Sequence, residues 1–248
     1  MLLALYYPLL KLQKFLLAVA GVPGSGKTEL LEDLKRRVRS DTLHIFPRIA
    51  DSELEMSIIT RANTRSPGSS AMYLMLHLHN QMSAVKKMRD AANFEVGVIK
   101  RSPIDGLVDA WLMHEDGALN DDEHHLMCLS VATWTTKCDF ILILEEDLAQ
   151  CMKNNVAKQA TLDSHKLESY IVRYRRAILG TYRHYLETTD NVPGLYVFKV
   201  SGLSRDEKFT NLFNFINWLK RDRSGFRGFE SSIVPFLEHL KVLVQTTD

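Results

Sequence analysis

Eight residues near the start of the chain carry its strongest chemical signal: Gly21-Val22-Pro23-Gly24-Ser25-Gly26-Lys27-Thr28. The spacing is GxxxxGK[ST], set between an apolar run, Phe15–Ala20, and a helical run, Glu29–Val38, which is the context this pattern requires. Glycines let a backbone wrap closely around phosphates, so that successive N–H groups and a helix N-terminus face the anion. A lysine at position 27 then reaches the outer phosphates, and the Thr28 hydroxyl is placed to ligate Mg²⁺. Gly21, Gly24, Ser25, Gly26, Lys27 and Thr28 are thus the expected binding residues for ATP, with Thr28 also the expected metal contact.

Phosphate loops of this kind serve several chemistries, and motif order separates them. A GTPase needs DxxG and then [NT]KxD after a later strand. Thr136-Lys137-Cys138-Asp139 spells TKxD but precedes the apolar run Phe140–Leu144, and the DxxG Asp222–Gly225 lies downstream of it. That order excludes a GTPase. Glu145-Glu146-Asp147 follows Phe140–Leu144 as a Walker B acid would, but the chain is too short for a helicase or an AAA lid domain. The histidine pairs His77/His79 and His124/His125 lack HExxH or any Cys/His quartet spacing, so they read as core or surface histidines.

The elements that must carry the loop alternate from end to end. Strands are expected at Phe15–Ala20, Leu43–Phe46, Phe94–Ile99, Phe140–Leu144 and Leu195–Val200, all short, apolar and rich in branched side chains. Helices are expected at Thr28–Arg39, Ser52–Ala62, Ser70–Ala92, Ile104–Leu112, Asp122–Thr135, Leu148–Val156, Ser164–Thr188 and Arg205–Leu219. Ser52 with Glu55, and Ser204 with Glu207, have capping-box spacing. The alternation predicts an α/β fold: a P-loop NTPase three-layer α/β/α sandwich with a five-stranded parallel sheet and a helical lid. Residues 1–14 read as an apolar extension, 15–221 as the catalytic domain and 222–248 as a helical tail packed on it. Within 1–20 the run is broken by Lys11, Gln13 and Lys14, which argues against a spanning helix.

Composition agrees with an ordinary globular chain. Of 248 residues, 46% are hydrophobic and 25% charged, and 31 Lys plus Arg against 30 Asp plus Glu leave a charge of +1. That balance gives no global pull toward nucleic acid or an anionic membrane. Three cysteines without CxxC spacing fit a reduced, cytoplasmic compartment better than a disulfide or zinc framework.

The end of the third strand, Lys100-Arg101-Ser102, resembles the D/E-R-S or D-R-Y motif of the deoxynucleoside kinase and thymidylate kinase group of P-loop kinases. In that group the arginine contacts the acceptor, which implies Arg101 and Ser102 as substrate residues; Lys100 stands where the group has a carboxylate. Phe46-Pro47-Arg48 is similar to the segment that holds an acceptor phosphate, which implies Arg48, and Asn80-Gln81 lies where base-contacting groups fall, which implies Gln81. The resemblance covers about residues 15–220 in element order. Arginine donates bidentate hydrogen bonds to phosphate and keeps its charge, so the implied roles are chemically sound. Two departures matter. The expected lid carries only Lys153 and Lys158, with Arg173, Arg176 and Arg183 on one face of the next helix. The general base a nucleoside acceptor needs has Asp51 as first candidate and Asp105 as second.

The expected function is ATP- and Mg²⁺-dependent phosphoryl transfer to a nucleoside or nucleoside monophosphate, deoxypyrimidine favoured, with Lys27, Arg101 and Asp51 as the catalytic set. An acceptor that is already a monophosphate needs no base, and Arg48 tilts the reading toward it. Two alternatives stand beside this. One is a kinase of a modified base hydroxyl, such as 5-hydroxymethyluracil, in DNA; the other is a nucleotide-binding scaffold with little turnover. A homodimer is compatible with the sequence, and a membrane partner is not expected.

Overall fold

The computed structural model describes residues 14–38, 43–46, 69–90, 95–135, 139–156, 164–188 and 195–221. Five strands form one sheet: β1 (Phe15–Gly21), β2 (Leu43–Ile45), β3 (Val96–Lys100), β4 (Phe140–Glu145) and β5 (Leu195–Lys199). All are parallel, in the order β2-β3-β1-β4-β5. Every residue of β1 is buried, as a central strand covered on both faces must be.

The helices are α1 (Lys27–Arg37), α2 (Ser69–Asp90), α3 (Pro103–Glu115), α4 (Asp121–Thr135), α5 (Leu148–Val156), α6 (Ser164–Thr188) and α7 (Arg205–Arg221). Strand order dictates which face each covers. Only the β1-to-β2 crossover runs toward the β2 edge; the later ones run the other way, so right-handed connections put α1 opposite the helices that follow β2, β3 and β4. The cores follow this division with a period of two. Phe15, Leu17 and Val19 pack with Leu30, Leu31 and Leu34 of α1 and Leu212, Ile216 and Leu219 of α7. Leu16, Ala18 and Ala20 pack with Ala84 and Met88 of α2, Leu107 and Leu112 of α3, and Ile171 and Ile178 of α6. This is the three-layer α/β/α sandwich expected from the alternation of elements.

Boundaries shift by a few residues. Helix α3 starts at Pro103 and runs three residues past the expected Leu112, because Ser102 and Asp105 form a capping box at its start and Pro103 fills the first turn. The Ser204–Glu207 box is present, with Ser204 N–H 2.8 Å from Glu207. The expected helix 52–62 with its Ser52–Glu55 box, the extension up to residue 13 and the tail 222–248 lie outside the described residues. Among the described residues no helix is long and apolar enough to cross a membrane. Cys128 and Cys151 are free thiols that burial pushes up to about 11.

Asp139, the acid of the misplaced TKxD, sits at the start of β4, at the sheet end opposite the phosphate loop. Its carboxylate accepts the Leu16 N–H at 2.7 Å, and its own N–H donates to the Leu16 carbonyl at 3.0 Å. Burial pushes this carboxyl up to about 6. It clamps two strand ends together and reads no guanine base.

Candidate functional site

The loop leaves β1 at Gly21 and delivers the chain into α1 through Gly26, the helix N-cap, with φ 86°. A Cβ at Gly26 would meet nothing within 4 Å, so this position borders open space and it is the positive φ that calls for glycine. Gly24 is different. At φ 85° its backbone lies against α5, and a Cβ there would overlap the Cys151 carbonyl. Asn154 closes the contact by donating its side-chain amide to the Gly24 carbonyl at 2.7 Å. The loop is therefore gripped from behind by a helix that no residue of the motif specifies.

Lys27 is buried, 7% exposed, and its ammonium bends back to donate to the Gly21 carbonyl, to Val22 O at 2.8 Å and to Ser25 Oγ at 3.4 Å. Burial lowers its pKa to about 7; Asp105 opposes the fall, while Arg101 and Lys100 deepen it. A desolvated cation crowded by two others is an electrostatic site for a polyanion.

The adjacent strand supplies the rest. In register Lys100 lies beside Val19, and the Arg101 N–H continues the ladder to Val19 O at 2.9 Å. Arg101 then takes φ 72°, the only non-glycine residue with positive φ among those described. Such backbone costs about 1–3 kcal/mol and persists where the surroundings enforce it. Here they do: its guanidinium is ion-paired to Asp109, which also accepts the Tyr170 hydroxyl at 2.6 Å. Burial raises the Asp109 pKa, against the pull of Arg101.

Ser102 and Asp105 form a second buried knot. Asp105 accepts Ser102 N–H at 2.7 Å, Ser102 Oγ–H at 2.8 Å, Tyr174 O–H at 2.8 Å and, more loosely, Gly21 N–H at 3.4 Å. Asp105 is fully buried and its oxygens are occupied by donors, so it fixes β1, α3 and α6 to one another instead of taking up a proton from an acceptor. The Ser102 hydroxyl, read from sequence as a substrate contact, is spent on this cap.

A divalent ion at Thr28 is a harder fit. The Thr28 hydroxyl accepts the Lys100 ammonium at 2.6 Å. Of the acids at the end of β4, Glu145 is paired with Arg175 at 3.4 Å and Glu146 with Lys208 at 2.7 Å, and Asp147 is exposed. Two unit charges ~4 Å apart at an effective dielectric of ~20 repel by about 4 kcal/mol, and a divalent ion doubles that. The described residues around Thr28 do not suit Mg²⁺.

Of the residues singled out in the sequence, Gly21, Gly24, Ser25, Gly26, Lys27, Thr28, Arg101 and Ser102 come together at the C-terminal ends of β1 and β3. Arg48, Asp51 and Lys158 lie outside the described residues, as do the side chains of Gln81 on α2 and Arg183 on α6. Lys153 is exposed on α5. Of the arginines on α6, Arg173 is paired with Asp116 at 2.7 Å and Arg176 is exposed. Sequence reasoning missed Asp109, Tyr170, Tyr174 and Asn154. Only Ser102–Asp105 left a readable trace, the S-x-x-D spacing with proline between.

No protein-family model matches the sequence, and no curated protein sequence matches it either. Solved structures do. Thymidylate kinase from Candida albicans superposes with a TM-score of 0.59 at 17% identity, over 84% of this chain and 93% of that one. Deoxyadenosine kinase from M. mycoides, solved with dCMP and dCDP, gives 0.60 at 11% identity, over 82% of this chain and all of that one. The same enzyme with bound dATP gives 0.58 at 11% identity. The fold is that of the P-loop nucleoside and nucleotide kinases. At these identities the likeness is one of fold.

Proposed function

We propose that this chain is an ATP-dependent kinase whose acceptor is a nucleoside or nucleoside monophosphate, deoxypyrimidine favoured. The observation that carries the reading is Lys27, a buried ammonium at the mouth of a glycine-walled loop, with Lys100 and Arg101 close enough to depress its pKa. Phosphoryl transfer asks for charge neutralisation and in-line placement more than for covalent help. The loop N–H groups and Lys27 hold the donor's phosphates. Arg101, locked by Asp109 and turned outward from the ladder by its φ, holds the acceptor. The acceptor oxygen attacks the γ-phosphorus, the bond to the β–γ bridging oxygen breaks, and Lys27 stabilises the charge that moves onto ADP.

A monophosphate acceptor fits the described crevice better than a neutral hydroxyl. Among the described residues Asp105 and Asp109 are both committed as hydrogen-bond acceptors, Asp51 lies outside them, and a phosphate oxygen is already ionised and needs no base. The neighbours support the broader acceptor class, one being a thymidylate kinase and the other a deoxyadenosine kinase solved with dCMP as a product.

The test is ATP consumption across a panel of deoxynucleosides and their monophosphates, with Lys27→Ala as control. A monophosphate turned over at least about tenfold more efficiently than its nucleoside, and abolished by Lys27→Ala, is the expected result. No acceptor-stimulated turnover, or more than about a tenth of wild-type rate in Lys27→Ala, overturns the assignment.

A further inference from the structure

We propose that Lys100 does in this crevice what a divalent cation does in most phosphate loops, so that the chain binds its nucleoside triphosphate in the metal-free form. The inference rests on the phosphate-loop reading above and concerns the state of the ligand that loop receives.

The geometry is specific. In a phosphate loop the hydroxyl that follows the lysine is the protein's ligand to the metal, which bridges the β- and γ-phosphates. Here that hydroxyl, Thr28 Oγ1, is 2.6 Å from the Lys100 ammonium, a short charge-assisted hydrogen bond. Lys100 is not there by chance of rotamer alone. Its backbone is fixed beside Val19 by the β1–β3 register, two residues before the loop begins at Gly21, so its side chain has only the crevice end of the sheet to cross. The ammonium therefore stands at the oxygen a metal would take, and it repels a second cation placed there.

The charge balance points the same way. A metal-free triphosphate carries about four negative charges near neutral pH, and its Mg²⁺ complex about two. On the donor side the crevice offers Lys27 and Lys100, the second close enough to lower the pKa of the first, with Asp105 committed to backbone and hydroxyl donors. Glu145 and Glu146 at the end of β4 are held by Arg175 and Lys208. Such a surface complements the more highly charged anion. A lysine is a point charge on a flexible stem and can follow the phosphates as they settle, which a fixed guanidinium fork does less well.

The experiment measures equilibrium binding of ATP to the full chain by calorimetry, once in excess EDTA and once in excess MgCl₂. The expected result is a wild-type Kd in EDTA less than about tenfold weaker than in Mg²⁺. Lys100→Met should lose at least about tenfold of the EDTA affinity, and its Mg²⁺-supported binding should fall by less than its EDTA binding does. Far-ultraviolet circular dichroism establishes that the variant is folded, and the wild-type comparison decides the matter without it. Wild-type binding that weakens about tenfold or more in EDTA overturns the proposal and leaves the phosphate-loop reading standing. Equal loss of both affinities in Lys100→Met, or none, also overturns it. Binding in neither condition overturns the phosphate-loop reading along with it.

Discussion

Lys27 should take up a proton when a triphosphate binds, and the amount can be worked out. In the free chain its pKa stands near 7 against an ordinary 10.5, a preference of about 5 kcal/mol for the neutral form. At pH 8, one unit above that value, about nine-tenths of the molecules carry neutral Lys27. A phosphate oxygen ~4 Å away at an effective dielectric of ~20 returns about 4 kcal/mol to the charged form, enough to raise the pKa by about 3 units. The bound ammonium is then protonated at pH 8, and binding consumes about 0.9 proton. The sign follows: affinity is greatest below pH 7 and falls about tenfold per pH unit between roughly 7.5 and 9.5, a range in which ATP itself no longer titrates. Calorimetric titration with ATP at pH 8, in buffers of different ionisation enthalpy, reads the proton number directly. Lys27→Arg, which cannot titrate there, should bring it to near zero. Uptake below about 0.3 proton in the wild type, or the same uptake in Lys27→Arg, refutes the reasoning.

Three more outcomes are expected. Asp139 has its folded pKa raised to about 6, so the stability it contributes is complete below about pH 4 and is lost as pH rises through 6. Asp139→Asn keeps an acceptor for Leu16 N–H without titrating, and in urea unfolding it should gain up to about 3 kcal/mol on the wild type between pH 4 and pH 7; an offset constant with pH contradicts this. Tyr174→Phe removes a buried donor from Asp105 and should cost about 1.5–3 kcal/mol in the same assay, whereas a loss under about 0.5 would mean Asp105 does not depend on it. Arg101→Ala should raise the acceptor KM or lower kcat while ATP affinity changes less than about threefold; lost ATP binding with normal acceptor kinetics would move Arg101 to the donor side.

The phosphate loop and its strand were legible because glycines, a lysine and an apolar run are local signals that no distant residue has to complete. The sheet was legible for the same reason, since each strand is a short apolar block between turn residues, and its two faces separate by simple alternation at Leu16, Leu17, Ala18 and Val19. What escaped is long-range and polar. Tyr174 meets Asp105 across 69 positions and Asn154 meets Gly24 across 130, and nothing near either partner announces the other. Asp105 read as a second candidate base because a carboxylate's burial depends on donors contributed by three separate elements. Lys100 was visible as an oddity in its motif, but the Thr28 hydroxyl beneath its ammonium is a consequence of strand register that only the sheet supplies.

The grip of α5 on Gly24 has a consequence for how this site could be moved or diversified. The eight residues of the loop hold their shape partly because Asn154 ties down one carbonyl and the Cys151 turn forbids any side chain at position 24. The motif is thus not a portable cassette: grafted onto another strand–helix pair it would keep its glycines and lose its backing. In descendants of this chain, a side chain at position 24 would demand retreat of the helix backbone at Cys151 and of the Asn155 amide beside it, so the glycine and the seating of that helix should be kept together.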